Sequence, residues 1–321
     1  MTTPASPDGE GSKVKARHRV ANWRDYDRAL VQRGSLDIWF DEAFVREHWR
    51  PAASGRRGAP FLYSDLAIQV LLTLKAVFSL PYRALEGFAG SLMRLTGLGL
   101  PVPDHTQMSR RARTLRVAIP RRERPGPVHV VVDSTGLKVF GEGEWKVRQH
   151  GAGRRRTWLK VHLAVDADAK DVIAVEVTTA AWGDGEVFGG LLDQVGGRVG
   201  QVDGDGAYDT REVYEAGMAR GADVVVPPRE NAVPWEAGHP RARALAAIAE
   251  QGLGGWKASS GYHRRSLAEN AMYRLKQLFG GSVASRVFEA QVTEVHARIA
   301  ALNTMTYLGM PVSVRMGVTA P

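Results

Sequence analysis

Carboxylate side chains occur where apolar segments of the chain give way to turns. Asp133 ends the β-branched run of VHVVVDSTG, and the segment GQVDGDGAYD repeats that arrangement with Asp203, Asp205 and Asp209. Carboxylates at strand ends in α/β sheets often face a functional crevice, but an aspartate there often makes only an Asx-turn. Position alone leaves both interpretations open. It also leaves open which of the three later aspartates would act.

A further carboxylate, Glu269, lies in the helix-forming segment GYHRRSLAENAMYRLKQLFG. Arg265 follows Tyr262 by three residues and precedes Glu269 by four. Lys276 comes seven residues after Glu269. These offsets keep the four polar side chains on one helical face. A solvated face with one Arg–Glu pair explains the same spacing and is the better interpretation of a lone helix, but a tyrosine and a second cation in the stripe make a functional face worth testing.

Three carboxylates brought together by a sheet suit phosphodiester chemistry with divalent cations. Magnesium binds through a few carboxylates and keeps water and phosphate oxygens as its other ligands. Two such ions, about 3.5–4 Å apart, can activate an attacking oxygen and stabilise the leaving oxygen. The chain has no cysteine, which excludes disulfides, thiolate zinc sites, iron–sulfur clusters and cysteine nucleophiles. We therefore expect two Mg²⁺ ions, for which Mn²⁺ could substitute.

The region from residue 128 to about 310 has the pattern of the sheet that must position these carboxylates. A charged, proline-rich joint at residues 121–128 precedes it and is the expected domain boundary. Five segments have strand composition: Val128–Val132, Trp158–Val165, Val172–Thr178, Val199–Val202 and Asp223–Val226. The helices expected around them are Val187–Val195, Ser266–Leu278 and Val287–Tyr307. This order predicts an α/β fold with a mixed five-stranded sheet flanked by helices.

Residues 20–120 predict an all-helical region. Helices are expected over Asn22–Gly34, Asp41–Trp49, Asp65–Ser79 and Tyr82–Leu95, and a further one starts at Asp104. Asp104 and Gln107 match a capping box ahead of MSRRARTLR. Two short helices followed by a basic one are typical of a helix-turn-helix, in which Arg110 and Arg111 would contact DNA phosphates. A plain helical bundle with a solvated basic face explains the pattern equally well.

The chain is basic, with a formal net charge of +9. Such an excess fits a polyanionic partner, most commonly nucleic acid, although a basic solvated surface would also produce it. Cations cluster around a glycine-rich hairpin: Lys138, Arg148, Arg154, Arg155, Arg156 and Lys160. We expect them to contact the phosphates of double-stranded DNA. A hairpin edge made polar by its cations is the alternative.

The first 19 residues lack the apolar segment of a secretory signal and predict a disordered, basic tail. The longest apolar stretch, Leu66–Leu80, is too short for a bilayer and includes Gln69, Thr73 and Lys75. These features predict a cytoplasmic protein without a membrane partner.

Together the motifs resemble bacterial insertion-sequence DDE transposases of the IS-five type. The resemblance runs from NWRDYDRALVQRGSLDIWF to ALNTMTYLGMP. Its most specific parts are DSTGLKVFGEGEWKVRQHG, RRRTWLKVHLAVD, DGAYDT and YHRRSLAENAMYRLK, and the last matches the group's Tyr-(two)-Arg-(three)-Glu-(six)-Lys signature without departure. The resemblance implies a ribonuclease-H-like core with Asp133, Asp205 and Glu269 as catalytic, metal-binding carboxylates. It thereby selects Asp205 over Asp203.

The resemblance also implies the reaction and its partners. Such enzymes cleave DNA at the terminal inverted repeats of their element and join the freed 3′ ends to a target. Tyr262, Arg265 and Lys276 would hold the transposon end near its terminal phosphates. The protein would be associated with the nucleoid in the cytoplasm of a bacterial cell. Relatives often place a base-stacking aromatic residue in the insertion at about 227–261, where Trp235 is the candidate and Trp256 a rival. Because two ends must be paired, we expect a homodimer on DNA.

Two other functions would use the same residues. A ribonuclease-H-like, structure-specific nuclease would cut without joining, and a catalytically silent relative would only bind DNA. The helical N-terminal region and the complete Tyr-Arg-Glu-Lys stripe favour a transposase over a nuclease. All three carboxylates are present, so the sequence gives no support for lost chemistry.

Overall fold

A computed structural model describes residues 18–52, 61–139 and 158–316 of the chain. Its N-terminal region is helical, as predicted. The helices are α1 Trp23–Gln32, α2 Leu36–Trp39, α3 Glu42–His48, α4 Asp65–Val77, α5 Tyr82–Leu95 and α6 His105–Arg111. The short α2 was not predicted, and the ends of the others lie within two residues of the prediction. Ser64 and Asp104 cap α4 and α6 by accepting hydrogen bonds from first-turn backbone N–H groups.

A six-stranded mixed sheet forms the centre of the molecule. Its strands are β2 Val128–Val139, β3 Trp158–Asp166, β4 Val172–Thr179, β5 Val199–Asp203, β6 Asp223–Val225 and β7 Ser282–Val283. The order is β4-β3-β2-β5-β6, with β7 paired to the end of β2. Strands β2, β3 and β4 are antiparallel, whereas β5 is parallel to both β2 and β6. Five of the six strands were predicted, and β7 is too short to have a recognisable pattern.

Helices cover both faces of this sheet, which gives the ribonuclease-H-like arrangement. They are α7 Asp184–Asp193, α8 Arg211–Ala219, α9 Pro240–Ser259, α10 Ser266–Phe279 and α11 Phe288–Leu308. Alternate residues of β2 serve opposite faces: Val131 packs in the core with α10 and α11, and Val130 packs in the core with α7 and α8. Both cores bury apolar side chains, so β2 is fixed on each side. It is therefore a rigid support for a functional residue.

The helical region and the sheet share a hydrophobic core through α11. Ala297, Ala301 and Met305 of α11 pack with Leu71 of α4, while Ile299 of the same helix faces the sheet. The joint at residues 121–128 is therefore a boundary along the chain but does not separate two cores. None of the described helices is alone long and apolar enough to cross a membrane; α4 and α5 pass that test only together, and they are bent by 113°.

A small two-stranded sheet joins the two ends of the described chain. Its strand β1 covers His18–Val20 and pairs antiparallel with β8, Ser313–Arg315. The predicted tail extended to residue 19, so the structure differs there: His18 and Arg19 are held by backbone pairing. Pairing with a segment almost 300 residues away leaves no local sequence signal.

Candidate active site

Strand register brings Asp133 and Asp205 together. The sequence placed Asp133 at a strand end, but β2 continues for six more residues, paired antiparallel to β3. In the parallel pairing of β2 with β5, Val131 is opposite Asp203. Asp133 and Asp205 each lie two residues further along, so the pairing carries both carboxylates to the same place at the edge of the β2–β5 pair.

The three aspartates of the DGDGAYD turn have different surroundings. Asp203 is fully buried and accepts a hydrogen bond from Gln201 Nε2 at 2.7 Å, and His129 Nε2 lies 2.8 Å from its other oxygen. Asp209 is buried in a two-pronged ion pair with Arg241, at 2.6 and 2.9 Å. Asp205 instead caps the 3₁₀ turn Gly206–Tyr208, and its side chain is 37% exposed. Of the three, only Asp205 keeps a carboxylate oxygen facing the site.

Glycine is required between the first two aspartates of this turn. A Cβ atom at Gly204 would lie 2.9 Å from the ring of Tyr208, closer than carbon atoms approach. Tyr208 is itself buried below the site and its hydroxyl has no hydrogen-bond partner among the described residues. Burial, followed by the charges of Asp184, Asp133 and Asp205, raises the pKa of Tyr208, so it stays protonated. The close contact fixes the turn that presents Asp205.

Helix α10 supplies the third carboxylate, and the 3₁₀ turn before it supplies an arginine that contacts all three. Ala268, Met272 and Leu275 hold the helix against the sheet, with Glu269 at the rim. Arg265 ends the preceding 3₁₀ turn, Tyr262–Arg265. Its Nη2 lies 4.0 Å from Asp133 Oδ2 and 3.9 Å from Asp205 Oδ2, while its Nη1 donates a hydrogen bond to Glu269. One guanidinium group therefore lies among three carboxylates from three separate elements.

The most buried of the three carboxylates is Asp133. Burial raises its pKa, the negative charges of Asp205 and Glu269 act in the same direction, and the Ser134 N–H group and Arg265 partly oppose them. An ionised Asp133 is therefore held at a cost in this site. Additional positive charge among the carboxylates would reduce that cost.

The donor set is suitable for a hard divalent cation. All three groups are carboxylates, and the guanidinium they surround already takes the place of a shared cation. Within the described ranges, no group of three or more His, Asp or Glu side chains is close enough as it stands to hold a metal ion. Each of the three carboxylates contacts Arg265, and they are not close enough together to act as ligands of one metal ion. Binding of a metal would require that guanidinium to move.

The remaining members of the predicted stripe lie on either side of this cluster. The Tyr262 ring packs on Trp256 at 5.7 Å between centroids, and Lys257 Nζ lies 5.5 Å from its centre. Burial raises the pKa of Tyr262, so its hydroxyl remains a donor at neutral pH. Lys276 is half-buried two turns beyond Glu269, and its side chain has no hydrogen bond or ion pair within the described part of the chain.

The two tryptophans proposed for base stacking are both engaged. The guanidinium carbons of Arg211 and Arg241 lie 4.7 and 4.3 Å from the centre of the Trp235 ring, and Tyr214 and His239 contact it edge-on. Trp256 is only 5% exposed. A base could stack on Trp235 only after an arginine moved. The insertion that carries both residues also contains α9, which the sequence pattern did not indicate.

Asp184, which the sequence analysis did not single out, connects three elements behind the site. It begins α7, and its Oδ2 accepts a hydrogen bond from Lys160 Nζ at 3.0 Å. His162 Nδ1 lies 3.3 Å from its Oδ1, and the Ser134 hydroxyl also bonds to it. Burial raises the pKa of Asp184, but the hydrogen bonds from His162, Ser134 and Lys160 outweigh burial, and the pKa is well below its usual range. Ser134 is adjacent to Asp133, so this network supports the strand that carries Asp133.

An exposed indole, also missed, lies beside this network. Trp182 is 52% exposed, and its carbonyl accepts a second hydrogen bond from Lys160, at 3.2 Å. It is two residues from Asp184 and therefore close to β2. Its position between Ala181 and Gly183, with no large apolar residue next to it in sequence, was the available signal.

The predicted cations differ in their availability. Arg148, Arg154, Arg155 and Arg156 lie outside the described residues, and Lys138 has its Nζ 5.8 Å from the Trp158 ring centre. Arg111 is committed within the protein: it bonds to the Tyr63 carbonyl and Asp65 and lies over the Phe61 ring. Arg110 is exposed and lines an open concavity with Arg83, His105 and Arg113. A DNA contact in the helical region is therefore better served by Arg110 than by Arg111.

Comparison with known families agrees with this geometry. Two family models described as "Transposase DDE domain" match the chain, one over residues 31–142 and the other over residues 124–304. The second match covers more than half the chain and includes Asp133, Asp205 and Glu269. Members of this family are enzymes that act on DNA. The chain therefore belongs to the DDE transposase family.

Proposed function

We propose that the protein cleaves DNA at the terminal inverted repeats of an insertion sequence and joins the freed 3′ ends to target DNA. The observation that carries this proposal is the convergence of Asp133, Asp205 and Glu269 on one cationic group. Family membership supports transposition in general. The convergence supports phosphodiester chemistry at this particular point of the sheet.

Asp133, Asp205 and Glu269 would hold two Mg²⁺ ions, and Mn²⁺ could replace them. When bound, such ions activate the attacking oxygen and stabilise the leaving oxygen of an in-line displacement. The protein contributes the rigid placement of its ligands. Asp133 lies on β2, Asp205 lies in the turn that follows β5, and Glu269 lies on a helix packed against β2.

Arg265 would act at two stages. Without metal, it neutralises part of the negative charge of the three carboxylates. Once a divalent cation takes over that role, its guanidinium becomes available for a phosphate of the transposon end. Tyr262 lies in the 3₁₀ turn before α10 and Lys276 lies on α10, so the three residues could hold consecutive parts of a DNA backbone beside the carboxylates.

The DNA surface would extend from this stripe to both sides. On one side it would include cations that lie in β2, in β3 or between them in the sequence: Lys138, Arg148, Arg154, Arg155, Arg156 and Lys160. On the other side it would include Arg110 of the helical region. Trp182 is the better stacking candidate, because its indole is exposed next to Lys160 while the Trp235 ring is covered by two arginines. Pairing of two transposon ends requires two active sites, and we therefore propose a homodimer on DNA.

The test uses purified protein, Mg²⁺ and a labelled duplex that carries the terminal repeat from DNA flanking the gene. Asp205→Asn should reduce cleavage and joining by about a thousandfold or more, because it removes a ligand charge. Asp193→Asn changes an exposed aspartate at the far end of α7 and should cleave like the wild type. A Ca²⁺ reaction serves as the control for binding without catalysis.

Three other outcomes would indicate a different function or a different set of site residues. Nicking at any sequence without strand joining would contradict transposition and favour a structure-specific nuclease. Specific binding without cleavage in Mg²⁺ or Mn²⁺ would identify a catalytically silent relative. Equal activity of Asp205→Asn and the wild type would remove Asp205 from the site.

A further inference from the structure

A cavity of about 550 Å³ lies between α1, α10 and the segment that leads into β8. Three cationic side chains line it: Arg33 at the C-terminal end of α1, Lys170 of the β3–β4 turn and Arg274 of α10. No Asp or Glu is among the residues that line it in the described structure. Clustered cations without a carboxylate are unusual in a partly enclosed space, because each charge loses contact with water and gains no opposite charge in its place.

The two arginines are incompletely satisfied. Arg33 Nη2 donates to the Gly309 carbonyl at 3.2 Å, and Arg274 Nη1 donates to the Thr306 hydroxyl at 3.1 Å. Arg33 Nε and Arg274 Nη2 are buried and have no hydrogen-bond partner among the residues described. Each guanidinium thus retains donor capacity that the protein does not use. Buried donors without acceptors are costly and usually have a reason.

The charges around Arg274 also leave its positive charge uncompensated. Burial, followed by the charge of Arg33, lowers the pKa of Arg274 to about 10, with only Tyr26 acting in the opposite sense. Arg274 is still protonated at neutral pH. Two mutually repelling guanidinium groups with no acidic neighbour would both be stabilised by an anion between them.

We propose that this cavity binds a phosphate group, and specifically a phosphodiester of the DNA on which the enzyme acts. Guanidinium groups match phosphate oxygens in charge and geometry, and the neutral side chains of Asn270, Gln277 and Ser313 that also line the cavity can donate further hydrogen bonds. Exposed Tyr273 lines the cavity and is one turn from Glu269 on α10. A strand held along the catalytic face of α10 could therefore place a neighbouring phosphate here.

The identity of the phosphate as DNA rests on the proposed function, whereas binding of the anion does not. The first measurement is therefore calorimetric titration of the full chain with inorganic phosphate. Arg274→Met should bind phosphate about tenfold more weakly or worse, because it removes charge-assisted hydrogen bonds. Arg28→Met is the matched control: Arg28 is an exposed arginine of α1, is paired only with Asp25 among the described residues, and does not line the cavity.

Thermal unfolding in phosphate-free buffer separates binding from a structural role. If Arg274 is retained for an anion, Arg274→Met should unfold at the same or a higher temperature than the wild type, because it removes an uncompensated charge. The Thr306 hydroxyl keeps its bond to the Leu302 carbonyl in that variant. A clear fall in Tm would assign Arg274 a structural role and overturn the proposal. Absence of phosphate binding by the wild type, or only adventitious binding unaffected by Arg274→Met, would also overturn it.

Binding of a labelled duplex in Ca²⁺ then tests the source of the phosphate. We expect inorganic phosphate to compete with the duplex at this site, and Arg274→Met to weaken duplex binding and lower the slope of log affinity against log salt by about one. Loss of phosphate binding with wild-type duplex affinity would overturn the DNA assignment in favour of a free anion. Neither titration requires cleavage, so failure of the transposase proposal would be seen separately, in the Asp205→Asn assay.

Discussion

Arg265 is the residue whose position the spacing of the stripe did not reveal. An i,i+4 pair with Glu269 was visible in the sequence, but the same guanidinium also reaches Asp133 and Asp205. A cation at this point reduces the repulsion among three carboxylates that the fold brings together. The arginine consequently stabilises the carboxylate cluster, and under the proposed function it would also compete with the metal.

This dual role leads to a prediction for Arg265→Gln. In the absence of DNA, the variant should bind Mn²⁺ about tenfold more tightly than the wild type, because a competing positive charge is gone. Electron paramagnetic resonance of free Mn²⁺ measures this without any DNA reaction. Arg264→Gln is the control, since Arg264 is the adjacent residue but pairs with Asp168 and contacts His129. Weaker Mn²⁺ binding in Arg265→Gln would show that the arginine orders the carboxylates more than it competes.

Asp133 should give the metal-free protein a specific dependence on pH. Burial raises its pKa in the folded state above the model-peptide value of 3.8, so the folded protein holds this proton more tightly than the unfolded chain does. Stability from Asp133 is therefore present at low pH and is lost as pH rises through the folded pKa. Asparagine does not ionise and still accepts the Ser134 N–H bond.

We therefore expect Asp133→Asn to raise Tm in EDTA at pH 7, and the difference from the wild type to shrink as the pH falls toward 3.8. Differential scanning calorimetry between pH 4 and pH 7 measures it, with Asp193→Asn as the exposed control. A lower Tm of Asp133→Asn at pH 7 would mean that attraction to Arg265 exceeds the cost of burial.

At the scale of elements, Asp184 joins the start of α7 to β2 and β3. Its low folded pKa means that its contribution to stability is present above pH 3.8 and is lost as pH falls through the folded value. Asp184→Asn should cost roughly 1.5–3 kcal/mol at pH 7, the size of a hydrogen bond to a charged group. Urea unfolding at several pH values measures the loss, which should diminish below pH 3.8.

The same variant should also affect catalysis, because Ser134 bonds to Asp184 and adjoins Asp133. A displaced carboxylate loses alignment with the reacting phosphate, so we expect cleavage to fall by about tenfold or more with DNA affinity unchanged. Asp184→Glu, which keeps the charge, should recover part of the rate if Asp184 positions β2. Full activity of Asp184→Asn would leave the network a purely structural role.

At the scale of the molecule, α11 unites the helical region with the sheet. Its residues contribute to both hydrophobic cores, and the backbone pairing of β1 with β8 ties the two ends of the described chain together. The joint at 121–128 is consequently a poor place to divide the protein, although its composition is that of a linker. The apolar face of α11 that packs on α4 would be exposed in a fragment without the helices.

We predict that a fragment of residues 128–316 aggregates or unfolds without cooperativity, whereas the full chain unfolds in one cooperative transition. Exposure of an apolar face several residues long accounts for this expectation. Size-exclusion chromatography and circular dichroism measure it. A monodisperse fragment with a sharp thermal transition would contradict the prediction and establish an independent catalytic domain.

Much of the fold follows from local patterns. Residues 128–132 show the β-branched composition of a strand with both faces buried, and Tyr82–Leu95 shows helical periodicity between a proline and paired glycines, so both elements were predictable from a few adjacent residues. The offset of four residues likewise predicted the contact between Arg265 and Glu269, but the predicted single helical face was wrong for Tyr262, which lies in a separate 3₁₀ turn. The family motifs located the three carboxylates but not their geometry.

Only the tertiary structure decided which residues distant in sequence contact one another. Resemblance favoured Asp205 over Asp203 in the sequence, and the register of β2 with β5 and the burial of Asp203 beside His129 supply the physical basis for that choice. Arg111 and Trp235 looked available for DNA but are occupied by residues from other elements. The sequence by itself determined which elements form and which residue types they carry, because these depend on neighbours along the chain. Which side chains remain free, and which cations gather without acids, depends on long-range packing and had to await the fold.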